Sequence, residues 1–327
     1  MNHKHSATDP LPATPAIASA AEAVTDLRTV RDLVRWGYST LACASLAFGQ
    51  GTLDPRQDAE ALTCWSLGLS PENFHDWLDC RLTLHERQAI VRLIERRRTE
   101  RIPVAYLTGE AWLAGVCFRS DSRALIPRSL IAETLSEGFS SVLDARRVPS
   151  ENWPGSVLDL CTGGGSLAIL AALAFPSATV TGVDLSESAL ALAAENVNLQ
   201  AVSEQITLLQ GDLFDPVAGQ KFDLILCNPP YVNDLSMYNL PDEFLAEPRT
   251  ALAGGPDGMD LVRQILSRAA AHLSAGGVLI LEIGHECAHF EAAFPTLEHH
   301  WLPVSAGEHM VALIERRQLI RAFQPAR

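Results

Sequence analysis

From Ser156 onward, short apolar runs alternate with longer helical stretches, and this alternation restricts the fold more than any other feature of the chain. The spacing predicts strands at Val157–Leu160, Thr179–Leu185, Ile206–Gln210, Phe222–Cys227, Val278–Ile283 and Met310–Ile314. Helices are expected between them at 166–174, 187–199 and 257–274. Such a pattern belongs to the α/β class, with a mostly parallel, doubly wound sheet covered by helices on both faces. Ligands of these sheets bind at the carboxyl ends of the strands. The residues that close each predicted strand are therefore where function is to be sought.

The region upstream has a different character. Residues 1–21 are rich in Ala, Pro, Thr and Ser without periodicity and read as a disordered tail. Residues 22–101 read as a helical domain. Leu27, Val30, Leu33, Val34 and Leu41 recur at helix spacing, and Asp54-Pro55 and Ser70-Pro71-Glu72 look like helix starts. A further helix from Thr83 to Arg101 carries Arg87, Arg92, Arg96, Arg97 and Arg98, read as a solvated basic face, with a contact to ribosomal RNA as the minority alternative. In residues 102–127, Trp112–Phe118 followed by Ser122–Ile126 suggests a β-hairpin linker. Residues 128–327 then form the α/β domain.

A chain of 327 residues suffices for two domains with separate cores. No apolar run approaches the roughly 18 residues that span a membrane, and the N-terminus shows no secretory signal. The 7 cysteines are scattered, with no Cys-x-x-Cys pair, which favours reduced thiols in a cytoplasm over disulfides or a zinc site. Charge is uneven. Residues 22–120 carry 12 Lys+Arg against 13 Asp+Glu, whereas residues 121–327 carry 12 against 25. The acidic half repels nucleic acid phosphates and favours encounter with a basic protein.

Three strand ends carry acidic residues or glycines. Asp159 precedes the loop Cys161-Thr162-Gly163-Gly164-Gly165-Ser166, where glycines let the backbone turn sharply and approach a ligand. Asp184 ends the next strand, placed to bind ribose hydroxyls, and Gly211-Asp212-Leu213 closes the third, with Asp212 suited to an adenine amino group and Leu213 to its ring. Taken singly, these fit a nicotinamide dinucleotide as well as S-adenosylmethionine. The fourth strand ends in Asn228-Pro229-Pro230-Tyr231. Two prolines stiffen that loop and remove two donors, leaving the Asn228 side-chain oxygen and the Pro229 carbonyl as fixed acceptors beside an aromatic ring. This suits a planar group with an exocyclic NH2, a carboxamide or an adenine. Accepting hydrogen bonds from both hydrogens returns electron density to the nitrogen and aims its lone pair. One competing motif, His285-Glu286-Cys287-Ala288-His289, matches H-E-x-x-H. It starts directly after a predicted strand, lacks a third ligand at a diagnostic spacing, and gives no reason to expect a metal.

These residues resemble the class I S-adenosylmethionine-dependent methyltransferases that modify glutamine side-chain amides in proteins. The resemblance covers roughly residues 22–317, through Arg101–Thr108, Leu125–Arg128, Asp159–Gly163, Asn228–Tyr231 and Glu247–Ala253. The stretches Arg28–Trp36 and Gly49–Pro55 resemble the branch acting on ribosomal protein L-three more than the branch acting on peptide release factors. The resemblance implies a Rossmann-like domain in which Asp159, Thr162, Gly163 and Gly165 hold the methionine part of the cofactor. It implies that Asp184 holds the ribose and that Asp212 with Leu213 holds the adenine. It places the substrate amide on Asn228 and Pro229, with Tyr231 shaping the pocket, and counts Asn228 among the residues that contact the cofactor as well. Gly164 and Ser166 depart from the Ser-Gly-Cys expected over 164–166. The rival functions are adenine methylation on DNA, nicotinamide oxidoreduction and a non-catalytic role in ribosome assembly. The acidic half opposes the first, Asn-Pro-Pro-Tyr is unexplained by the second, and the intact acceptor loop disfavours the third. No general base is assigned, because the proton can leave after the nitrogen has been quaternised.

Overall fold

The computed structural model describes residues 17–136 and 153–323, so most of the expected disordered tail lies outside the described residues. The chain divides into two compact units. One takes the residues up to Leu46 together with Leu53–Arg101, and the other takes Ala47–Thr52 and everything from Ile102.

The first unit is helical, with helices at Ala20–Asp26, Val30–Ala42, Pro55–Ser66 and Leu84–Glu100 and a 3-10 turn at Pro71–Trp77. The sequence sets these starts through its caps. Ser19 with Glu22, Thr29 with Asp32 and Thr83 with Glu86 form reciprocal capping boxes, and Asp54 caps a helix whose first residue is Pro55. The first helix begins at Ala20, inside the stretch expected to be disordered. Leu27 belongs to its extended C-cap and not to the helix containing Val30, because the Thr29 cap starts a new one. The arginine face also differs from expectation. Arg97 is 2% exposed and pairs with the fully buried Asp58 at 2.7 Å, and Arg87 is buried and donates to the carbonyls of Thr25 and Leu27. A buried charge persists only when paired, so these two arginines are part of the interior.

The second unit opens with a helix at Val104–Thr108 and a hairpin of β1 (Glu110–Leu113) and β2 (Val116–Arg119). Its two-residue turn, Ala114-Gly115, has both residues at positive φ, the geometry that matches strand twist. The hairpin therefore closes within Trp112–Phe118, and Ser122–Ile126 is not a strand. There the Asp121 carboxylate takes the Arg123 backbone N–H into a local turn.

Among the described residues, seven further strands form one sheet. They are β3 (Ser156–Leu160), β4 (Thr179–Asp184), β5 (Ile206–Gln210), β6 (Phe222–Cys227), β7 (Leu273–Glu282), β8 (His300–Val304) and β9 (Gly307–Glu315), in the order β5-β4-β3-β6-β7-β9-β8. The first five run parallel and the last two antiparallel. Side chains alternate between two cores. Val157, Leu224, Leu226, Val278 and Ile280 point to one, and Leu158, Ile225, Cys227, Leu279 and Leu281 to the other. Strand β8 is not among the strands that the sequence pattern predicts. Pro303 interrupts its run, and proline is tolerated there because β8 is an edge strand. The chain reverses its direction of travel across the sheet at β3. Leu160 of β3 pairs with Cys227 of β6, so the loops after these two residues leave the sheet side by side at this switch point.

Candidate active site

The loop after β3 is held by a buried carboxylate. Asp159 is 1% exposed, and its Oδ2 accepts from Thr162 Oγ1 at 2.6 Å and from the Ala168 backbone N–H at 3.0 Å. The Thr162 N–H donates to the Val183 carbonyl, tying the loop to β4. Cys161, Gly163 and Gly165 all have positive φ. At Gly165 a Cβ would come within 3.1 Å of Ala193 Cβ on the helix Glu187–Leu199, so only glycine lets loop and helix pack this closely. Asp184, closing β4, accepts from the Gly163 N–H at 2.8 Å through one oxygen and from the Ser186 N–H at 2.9 Å through the other. Asp212 is exposed just beyond β5, where the Gly211 N–H meets the Asp184 carbonyl at 3.0 Å. Leu213 takes a left-handed conformation and turns its side chain into the core, leaving little of it open to a ring.

The loop after β6 rests on a bed of close contacts. Pro229 and Pro230 are buried and Asn228 is partly exposed. Tyr231 donates through its hydroxyl to Glu282 Oε1 at 3.2 Å. Glu282, buried at the end of β7, also accepts from Ser129 Oγ at 2.6 Å and the Leu130 N–H at 2.9 Å. Burial pushes the Glu282 carboxyl up from its ordinary range, and burial beside Glu282 raises the Tyr231 phenol. Behind the loop, the Val232 N–H donates to the Leu252 carbonyl and the Gly254 N–H to the Val232 carbonyl, both at 2.9 Å. Asn233 Nδ2 donates to Glu286 Oε1 at 2.6 Å.

Three carboxylates thus line the ends of β3, β4 and β5, and one oxygen of Asp159, Oδ1, is buried without a hydrogen-bond partner among the described residues. An acidic rim of this kind suits a cationic ligand and opposes the pyrophosphate of a dinucleotide. S-adenosylmethionine, with its sulfonium and ammonium charges, fits this donor set. Desolvation, together with the neighbouring Asp184 charge, raises the Asp159 carboxyl from 3.8 to about 7, against the lowering pull of Thr162 and Ala168. The folded protein therefore holds a proton that the unfolded chain gives up. The stability this contributes is full below the unfolded value and is lost as pH rises through about 7. Relative to wild type, Asp159→Asn should gain about 3 kcal/mol of unfolding free energy between about pH 5 and pH 8. Denaturant melts at both pH values measure this, and an unchanged difference would mean Asp159 is ionised throughout.

The residues expected from sequence at the ends of β3 and β4 meet through Asp159–Thr162 and Gly163–Asp184. Several neighbours make contacts that sequence reasoning did not assign. Glu282 ends an apolar run, and a lone carboxylate there is the signal that marks it. Asn196 is fully buried, accepts from the Arg119 N–H at 2.7 Å and donates to the Gly164 carbonyl at 2.9 Å, joining hairpin to loop. Glu247 is buried and takes the Ile126 N–H at 3.0 Å, Arg128 Nη2 at 2.8 Å and Gln50 Nε2 at 3.2 Å. In the H-E-x-x-H stretch the helix starts only at Cys287. His285 lies in an exposed turn, and His289 pairs with the same Glu286 that holds Asn233.

A family model described as the Methyltransferase small domain matches residues 139–259, and one described as the PrmC N-terminal domain matches residues 32–109. The ribosomal protein uL3 glutamine methyltransferase of Bordetella pertussis is 49% identical over 295 residues, covering 90% of this chain and 97% of that protein. Its counterpart in Burkholderia pseudomallei is 47% identical with the same coverages, and that of Neisseria meningitidis serogroup B is 41% identical over 91% and 97%. With likeness of this extent running through both compact units, the chain belongs to the ribosomal protein uL3 glutamine methyltransferase family.

Proposed function

We propose that this chain transfers a methyl group from S-adenosylmethionine to the side-chain amide nitrogen of a glutamine in ribosomal protein uL3. The observation that carries the chemistry is the pairing of Leu160 with Cys227, which puts an acid-lined glycine loop next to a rigid pair of acceptors. The substrate protein follows from the names of the relatives. When bound, S-adenosylmethionine supplies an electrophilic methyl group on sulfur. Asp159, Thr162, Gly163 and Gly165 hold its amino acid part, Asp184 the ribose, and Asp212 the adenine, with the left-handed turn at Leu213 shaping that loop. Asn228 Oδ1 and the Pro229 carbonyl accept the two amide hydrogens, which localises the nitrogen lone pair and fixes its direction. Tyr231, anchored on Glu282, forms the wall of the amide pocket. Much of the rate then comes from holding the nitrogen in line with the methyl group. The enzyme works in the cytoplasm on a basic protein, either free or within an assembling large subunit, and the acidic catalytic half disfavours DNA.

The test is incubation with labelled cofactor and, separately, ribosomal protein uL3, a release factor and duplex DNA, followed by mass spectrometry of the labelled product. Methylation of a uL3 glutamine is expected. S-adenosylhomocysteine should bind, and Asp184→Ala should weaken it. Tight binding of NADH with no response to S-adenosylhomocysteine would overturn the assignment.

A further inference from the structure

We infer that the surface made by Leu235, Tyr238 and Leu245, edged by Asp234 and Asp242, docks the stretch of substrate polypeptide that flanks the target glutamine. The inference rests on the reading of this chain as a protein-glutamine methyltransferase. Leu235, Tyr238 and Leu245 are 73%, 88% and 66% exposed, yet all follow closely on Tyr231. Large apolar side chains standing in water are informative when they cluster beside a site.

Their backbone is pinned. Asn233 caps the helix Asp234–Tyr238 through the Ser236 N–H at 2.9 Å while its Nδ2 is held by Glu286, and the Asp234 N–H meets the Gly255 carbonyl at 3.1 Å. Leu235 and Tyr238 are three positions apart on that helix and so share a face. Leu245 is fixed from both sides. Before it Glu243 accepts from the Ala47 N–H and the Phe244 ring lies 5.5 Å from the Arg128 guanidinium, and after it Glu247 accepts from Arg128 Nη2 at 2.8 Å. The apolar groups are thus presented by an ordered scaffold that continues directly from the candidate amide pocket.

Charge selects the occupant. No Lys or Arg occurs between Lys221 and Arg249, whereas Asp234 and Asp242 are exposed on this stretch. Such a surface fits a basic chain with an apolar residue near its glutamine. A second copy of this protein would oppose acid to acid. Reach is also right. Leu235 is four positions beyond Tyr231, so their Cα atoms are at most about 14 Å apart. An extended peptide advances about 3.3 Å per residue. Substrate residues roughly three to five positions from the glutamine would therefore lie on this surface.

The experiment compares wild type with the full-length double variant Leu235→Ser/Tyr238→Ser, using ribosomal protein uL3 as substrate. KM for uL3 should rise about tenfold, equivalent to about 1.4 kcal/mol, while kcat and the affinity for S-adenosylhomocysteine stay within about twofold. Asp234→Lys/Asp242→Lys should raise KM at low salt and lose that effect at high salt. A KM within about twofold of wild type in both variants would overturn the inference. So would a change of oligomeric state in place of a change in KM, which would mark the surface as a self-interface. A wild-type protein that binds S-adenosylhomocysteine but transfers no methyl to uL3 would remove the functional reading itself, and this inference with it.

Discussion

Replacing Asn228 with alanine is expected to slow single-turnover methyl transfer roughly a hundredfold or more while leaving the fold and cofactor binding close to wild type. The size follows from what is lost. An amide nitrogen is a poor nucleophile because its lone pair is delocalised, and Asn228 is one of only two acceptors proposed to counter that. Among the described residues no group is hydrogen-bonded to its carboxamide, so truncation breaks no structural bond. The prolines that follow it are buried and stay in place. Asn228→Asp keeps an acceptor but adds a full negative charge beside an already acidic rim, and partial activity is expected. The measurement pairs thermal unfolding with rapid-quench methyl transfer. A stable Asn228→Ala protein that methylates at near wild-type rate would rule out the proposed role.

Gly258→Ala should have a comparable effect by a different route. Gly258 has φ +78, and a Cβ there would collide with the Tyr231 carbonyl oxygen, a backbone atom that cannot step aside. Strain at positive φ alone costs on the order of 1–3 kcal/mol for a residue other than glycine, and the collision adds to it. A loss of about 3 kcal/mol or more is expected, lowering the melting temperature by about 6–12 °C. Gly276→Ala is the control, since nothing lies within 4 Å of its Cβ position and its φ is not in the left-handed region. Because the strain falls on Tyr231, methyl transfer should drop further than stability does, even below the melting transition. Equal melting temperatures for the two variants would show that the segment around Gly258 yields.

How much of this was legible beforehand depended on sequence distance. The glycine loop, Asp184 and Asn-Pro-Pro-Tyr were readable because each signal is a short run at a strand end. The wide pairing of their supports was not. Tyr231 meets Glu282 across 51 residues, Asn196 meets Arg119 across 77, and Ile126 meets Glu247 across 121. No local pattern encodes such partners. The five arginines of Leu84–Glu100 show the same limit. Their spacing suggests a solvated face, and only tertiary contact shows that Arg87 and Arg97 are interior. A hairpin was expected in this part of the chain, but its second strand was put at Ser122–Ile126 and lies at Val116–Arg119, since an Ala-Gly turn is a weaker sign than Asn-Gly.

The assignment of Ala47–Thr52 to the methyltransferase unit has a consequence in time. Gln50 Nε2 donates to the Glu243 carbonyl across 193 residues and to Glu247 across 197. At about 5–20 residues synthesised per second, these partners emerge from the ribosome roughly 10–40 s after Gln50. During that interval the chain on both sides of the segment, up to Leu46 and from Leu53 to Arg101, is already available to fold as a helical unit. The six-residue strap must wait outside it as a loop. Neither unit is therefore a contiguous cassette. A transplant of the methyltransferase unit that begins at Ile102 would leave Glu243 and Glu247 without Gln50, which reaches them only from the first third of the chain.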